Sequence, residues 1–156
     1  MNHTATVSDT TNSTNVLTYN TRFGDVTLRE DRLVGFDQGV LGFPHCKVFG
    51  LSRMPGGDES PILLMHCISD PSVTFMVADP AVLGLEIKEK DQKEAIAARK
   101  MDETETQILV ILTLYEQGDS FFLTANLRAP LLIDSKQREG FQHILTSNDY
   151  TTQHKI

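Results

Sequence analysis

The chain has 156 residues, 40% of them hydrophobic and 22% charged, which is enough for one domain with a sizeable core. Twenty-one acids oppose 14 Lys and Arg, a net charge of −7 with no basic block, so direct binding of RNA or DNA is disfavoured. No run approaches the roughly 20 apolar residues of a membrane span, and two cysteines, Cys46 and Cys67, are too few for a disulfide framework; a reducing, cytoplasmic setting is expected.

The start, MNHTATVSDTTNSTN, has no basic or apolar leader region and little that could be buried. Residues 1–16 are therefore expected to be a disordered polar tail and residues 17–156 a single β domain. NVLTYNTRFGDVTLRE (15–30) predicts a hairpin turning at Gly24-Asp25. Residues 32–53, with four glycines and a proline among large apolar residues, predict short strands broken by tight loops, and 53–61 a surface loop. PILLMHCI (61–68) and VTFMVA (73–78) predict strands joined through Asp70-Pro71, the second ended by Asp79-Pro80.

DQKEAIAARKM (91–101) predicts the one helix, capped by Asp91, with Glu94 at the capping-box position and Ile96 and Met101 in its apolar stripe. QILVILTLY (107–115) predicts a strand buried on both faces. EQGD (116–119) predicts a hairpin loop in which Gly118 takes a positive φ. The strands SFFLTANL and APLLID follow, then a polar turn SKQREG and a last strand around FQHILT. The fold class is mainly β: a small antiparallel, barrel-like domain with one short helix.

Chemistry is sparse. His45-Cys46 and His66-Cys67 raise the idea of zinc. Neighbours on a strand point to opposite faces, so each pair offers at most one ligand to a given site, and no metal is expected. Cys67 follows an apolar run and predicts a buried, inert thiol. No nucleophile motif, P-loop or dinucleotide fingerprint is present, so neither catalysis nor a cofactor is expected. Asp70 and Asp79 precede prolines and read as turn formers before catalytic carboxylates. In LTANLRAPLLID (123–134), Asn126 and Pro130 predict a bend or bulge between strand pairs. Arg128, on that irregular edge, is a candidate for partner contact.

TRFG (21–24), FDQGVLGF (36–43), SDPSVTFMVADP (69–80), TANLRAP (124–130) and GFQHILTSNDYTTQH (140–154), in that order and spacing, resemble the flagellar assembly factor FliW family over residues 17–154. The resemblance implies a small β-barrel-like fold and a cytoplasmic regulator without catalytic activity. It implies two protein partners: flagellin, bound in a chaperone-like manner, and the translational regulator CsrA. The factor freed by flagellin export would bind CsrA away from its RNA surface and relieve repression of flagellin synthesis. An acidic chain would meet the basic CsrA through complementary potentials, with an affinity that falls with salt. No membrane partner is expected, and alone the chain is expected to be monomeric.

The sequence departs from the family pattern at Val40 and Leu41, where Leu-Pro is usual, at Leu64 and His66 for a common Trp and Gln, and at Gln153 for a frequent Arg. Besides Asn126 and Arg128, the candidate contact residues are Asp70, Asp79, Phe36, Phe43, Tyr150 and His154. Phe36, Gly39, Gly42 and Phe43 are weighed first as loop geometry and core. Tyr150 and His154 lie near a terminus free to meet a partner. The alternative reading is a barrel holding a small ligand in its mouth, with His66 and Asn126 as its polar groups.

Overall fold

A computed structural model describes residues 6–9, 15–21, 24–56 and 59–156. Strand β1 (Thr6–Asp9) pairs antiparallel with β2 (Asn15–Thr21), which pairs with β3 (Gly24–Arg29). Part of the expected tail is thus strand, and Asn15 and Val16 already belong to β2; the other residues of 1–16 lie outside the described residues. Thr21 pairs with Gly24 and Asn20 with Asp25, so Gly24-Asp25, the predicted turn, already belongs to β3.

A second sheet holds β4 (Val34–Gly35), β5 (Val48–Arg53), β6 (Leu63–Cys67), β7 (Thr74–Ala78), β8 (Thr106–Gln117), β9 (Ser120–Ala125), β10 (Leu131–Asp134), β11 (Glu139–Gln142) and β12 (His154–Lys155). Its order is β10-β11-β4-β5-β6-β7-β8-β9-β12, and β10 also pairs with β8. That last pairing closes β4, β5, β6, β7, β8, β10 and β11 into a ring. Among the described residues only the β11–β4 contact, Glu139 against Gly35, is parallel. The mainly β, barrel-like fold with one helix is as the residue pattern predicts.

Strand alternation sorts the side chains into two cores. Phe49 faces Cys67, Leu51 faces Met65, Leu63 faces Val77 and Leu109 faces Leu131; these side chains fill the ring with Phe36, Cys46 and Ile133. The opposite face of the wall carries Ala78, Val110, Leu112 and Leu132. It is covered by Ile87, the helix residues Ala95 and Ile96, and Leu145 and Tyr150 of the C-terminal segment. The small β2–β3 hairpin adds a third cluster around Leu17, Tyr19, Val26 and Leu28. It lies so close to β5 that a Cβ on Gly50 would stand 2.6 Å from the Leu28 side chain.

Helix α1 spans Glu89–Ala98, not 91–101. Asp91 is inside its first turn and does not cap it; Lys88 stands at the N-cap without a side-chain bond to the helix. At the other end Lys100 takes φ 55°, Lys100 N donates to Ala97 O and Met101 N donates to Ile96 O. This is the double bond of a Schellman end, with lysine where glycine is usual. It stops the helix before Met101. Among the described residues no helix is long and apolar enough to cross a membrane.

Two further expectations are corrected. β8 is buried on both faces only through Leu112; Thr113 and Leu114 are exposed. The last strand predicted around FQHILT is β11 at Glu139–Gln142, because from His143 the chain bonds to the β9–β10 connection: His143 N donates to Pro130 O and Leu145 N to Arg128 O.

Candidate partner-docking surfaces

β8 organises the candidate surfaces. One edge of it pairs with β7 at Val110–Leu112. The other edge carries β10 along Thr106–Leu109 and β9 along Leu112–Gln117, end to end. Between them the five residues 126–130 oppose only Val110 and Ile111, a wide bulge. Asn126 N stays on the ladder, donating to Ile111 O at 2.9 Å, and Asn126 Oδ1 accepts from Ala129 N at 3.0 Å. Leu127 and Arg128 N donate to Thr151 O, and Gln142 Nε2 donates to Ala129 O. Leu127, Ala129 and Pro130 are buried. The Arg128 side chain is half-buried, and its guanidinium has no hydrogen bond or ion pair among the described residues.

The other expected contact residues divide by environment. Phe36 is fully buried, and Tyr150 is 6% exposed, so neither is free to meet a partner. The Tyr150 hydroxyl donates to Asp91 Oδ2 and accepts from Lys88 N at 2.9 Å, pinning the C-terminal segment to the start of α1. Burial, then the Asp91 bond, pushes that phenol up. His154 is exposed on β12, opposite Ala125, and shares a groove of about 340 Å³ with Tyr150 and Leu127.

Phe43 is half-buried with its ring edge-on to Phe75 at 5.1 Å. Close by, Asp70 accepts from Ser72 N, from the Ser72 hydroxyl and from His45 Nε2 at 3.1 Å. The Ser72 bond first, then His45, holds its carboxyl below the usual range. Asp79 accepts from Ala81 N at 2.9 Å and caps the 3-10 turn Pro80–Leu83. Both aspartates do the turn work their sequence context predicts.

His66 and Cys67 point to opposite faces of β6 as strand geometry requires, while His45 and Cys46 lie in the loop before β5. Cys46 and Cys67 both lie in the ring's core, and burial, then the neighbouring Cys67 thiol, pushes Cys46 up to about 12. Such a thiol is protonated and unreactive. His66 lies on the outer face of β6 and bonds Ser52 Oγ at 2.8 Å and Thr74 Oγ1 at 3.3 Å. Burial pushes it down to about 4. Among the described residues no group of three or more His, Cys, Asp or Glu could hold a metal. The polar groups of the ligand-barrel reading are engaged elsewhere, and core side chains fill the ring.

Two surfaces escape the sequence reading. Past Leu112, β8 and β9 leave the wall as an arm turning at Gly118, whose φ is 63°. Leu114 pairs with Leu123 and Glu116 with Phe121, so these four share one face, apolar except for Glu116. Leu114 is 49% exposed and Phe121 66%. A groove of about 580 Å³ runs from Leu114 to Thr74 of β7 and has no charged lining residue. The signal was present: exposed Glu116 and Gln117 end an otherwise apolar run, which places its last turns outside the core. The second surface is a groove of about 560 Å³ between the Pro80–Leu83 turn, α1 and the first half of β8, rimmed by acids.

Residues 17–156 match the family model described as FliW protein. The chain is 31% identical over 142 residues to the flagellar assembly factor FliW of Thermosipho africanus (strain TCF52B), covering 88% of this chain and 94% of that one. It is 30% identical over 134 residues to the flagellar assembly factor FliW of Geobacillus kaustophilus (strain HTA426), covering 85% and 90%. A crystal structure of the flagellar assembly factor FliW matches with a TM-score of 0.67 at 26% identity, over 88% of this chain and 95% of that chain.

Proposed function

The chain belongs to the FliW family, and from that premise we propose that it is a non-catalytic flagellar assembly factor, a monomeric cytoplasmic adaptor that binds flagellin and, once flagellin leaves, CsrA. The observation that carries the reading is the arm. A closed ring has no need of a projecting strand pair, yet this one carries Leu114 and Phe121, 49% and 66% exposed, beside an uncharged groove. Exposed apolar surface of that kind marks interaction sites.

Flagellin is a filament subunit, and a subunit kept from assembling carries apolar surface that assembly would bury. The arm suits that partner. Large aromatics in the middle of an interface commonly carry 2 kcal/mol or more, and tenfold in affinity is about 1.4 kcal/mol. Phe121→Ser is therefore expected to weaken flagellin binding at least tenfold in isothermal titration. Its melting temperature should stay within about 2 °C, because Phe121 supports no core. Undiminished flagellin affinity in the variant would remove the arm from the account.

A further inference from the structure

Closing a sheet into a ring removes its edges, yet the projecting arm brings edges back. Two hydrogen bonds fix which backbone groups lie on them. Asn126 N donates to Ile111 O, so Ile111 faces the β9–β10 side of β8, and Ile156 N donates to Leu123 O at 3.0 Å, so Leu123 faces β12. Along an antiparallel ladder, bonded and non-bonded pairs alternate. The bonded pairs of the arm are therefore Thr113 with Thr124, Tyr115 with Phe122 and Gln117 with Ser120. Leu114 and Glu116 turn their N–H and C=O groups the other way, past the end of β7, whose pairing stops at Met76 opposite Leu112. Neither has a backbone hydrogen bond on that side among the described residues. The outer edge of β9 is already taken, by β12 at Ala125 and Thr124 and by Ile156 at Leu123.

The open edge of β8 is one wall of the 580 Å³ groove, and Thr74–Met76 of β7 are the other. An edge of unpaired N–H and C=O groups accepts an extended chain, and the side chains beside it select which. An added strand sends alternate side chains to two faces. On one they meet Leu114, Phe121 and Leu123, and on the other the Tyr115 and Phe122 rings, stacked at 5.1 Å. A charge carried into the groove would find no counter-ion among its lining residues. A second copy is disfavoured, because two such edges paired antiparallel would set both Glu116 carboxylates on one face. We propose that the arm recognises its partner by strand addition: an extended, uncharged segment of about four residues, apolar on the Leu114 side, pairs along Leu114–Gln117 over about 13 Å of open edge. The proposal rests on the arm being the flagellin-binding surface and states how that surface binds.

The test follows amide hydrogen exchange residue by residue by NMR on the full chain, with flagellin of the same organism as the probe. Saturating flagellin is expected to slow exchange at the Leu114 and Glu116 amides at least tenfold. Glu116→Pro removes one of the two edge donors and sets a ring on the open edge, while the bonded pairs with β9 keep their donors. It is expected to bind flagellin at least tenfold more weakly than Glu116→Ala, which removes the same side chain and keeps the N–H. Flagellin bound at saturation with Leu114 and Glu116 still exchanging at their free rates would overturn strand addition while the adaptor reading stood. Equal affinities for the two variants would do the same. A parent chain that binds no flagellin would overturn the adaptor reading, and strand addition with it.

Discussion

Gly140 shows how closely the ring is packed at single residues. A Cβ placed there would run into the Phe36 ring, which is fully buried and meets Phe49 edge-on at 5.2 Å. With nowhere for the ring to go, Gly140→Ala is expected to cost about 1–3 kcal/mol by overpacking, read from urea unfolding. A midpoint equal to the parent's would contradict the packing described. His66 makes a second residue-scale prediction. Its folded imidazole takes a proton only near pH 4, whereas the unfolded chain takes it near 6.5. Between those values the unfolded state binds more protons, so stability is full above pH 6.5 and falls as the pH drops toward 4, by up to about 3 kcal/mol. His143, held down by burial and Arg99, adds to the same window, while Asp70 and Asp102 act below 3.8. His66→Gln should flatten the decline of melting temperature between pH 6.5 and 4; an unchanged slope would contradict it.

The bulge between β9 and β10 is where elements meet function. Asn126 holds it from within and Arg128 leaves it toward solvent, so the two should separate on substitution. Asn126→Ala orphans the buried Ala129 N–H and is expected to cost about 1–3 kcal/mol. Arg128→Ala should leave the melting temperature nearly unchanged and weaken partner binding, because its guanidinium pairs with nothing in the fold. A large loss of stability with normal binding per folded molecule would make Arg128 structural. Much at this scale was legible from local chemistry. Asp70-Pro71 and Asp79-Pro80 make the predicted turns, Gly118 takes the predicted positive φ, and Asn126 and Pro130 do bound an irregular stretch. The failures share one cause. The width of the bulge, the start of α1 and the burial of Tyr150 depend on which distant segment supplies a partner. Tyr150 reaches Asp91 across 59 residues, and no local pattern announces that bond. Glu116 and Gln117 signal that the end of β8 leaves the core, but the point of departure is set by β7, whose pairing stops at Met76 opposite Leu112.

At the scale of the molecule, one closed ring carries two unlike surfaces: an apolar arm and an acidic groove. The barrel and the single helix could be read from periodicity because β alternation is local. The grooves could not, because both form between elements far apart in sequence. A net charge of −7 favours a basic partner over nucleic acid, but lining one groove with four carboxylates needs the fold. The central claim is that the two partners alternate. The direct measurement preforms the complex of this protein with CsrA, titrates in flagellin, and follows complex mass by light scattering. The account predicts release of CsrA, with the mass of the first complex replaced by that of the flagellin complex. A larger particle containing all three proteins would contradict it, since partners that bind together cannot exchange by exclusion.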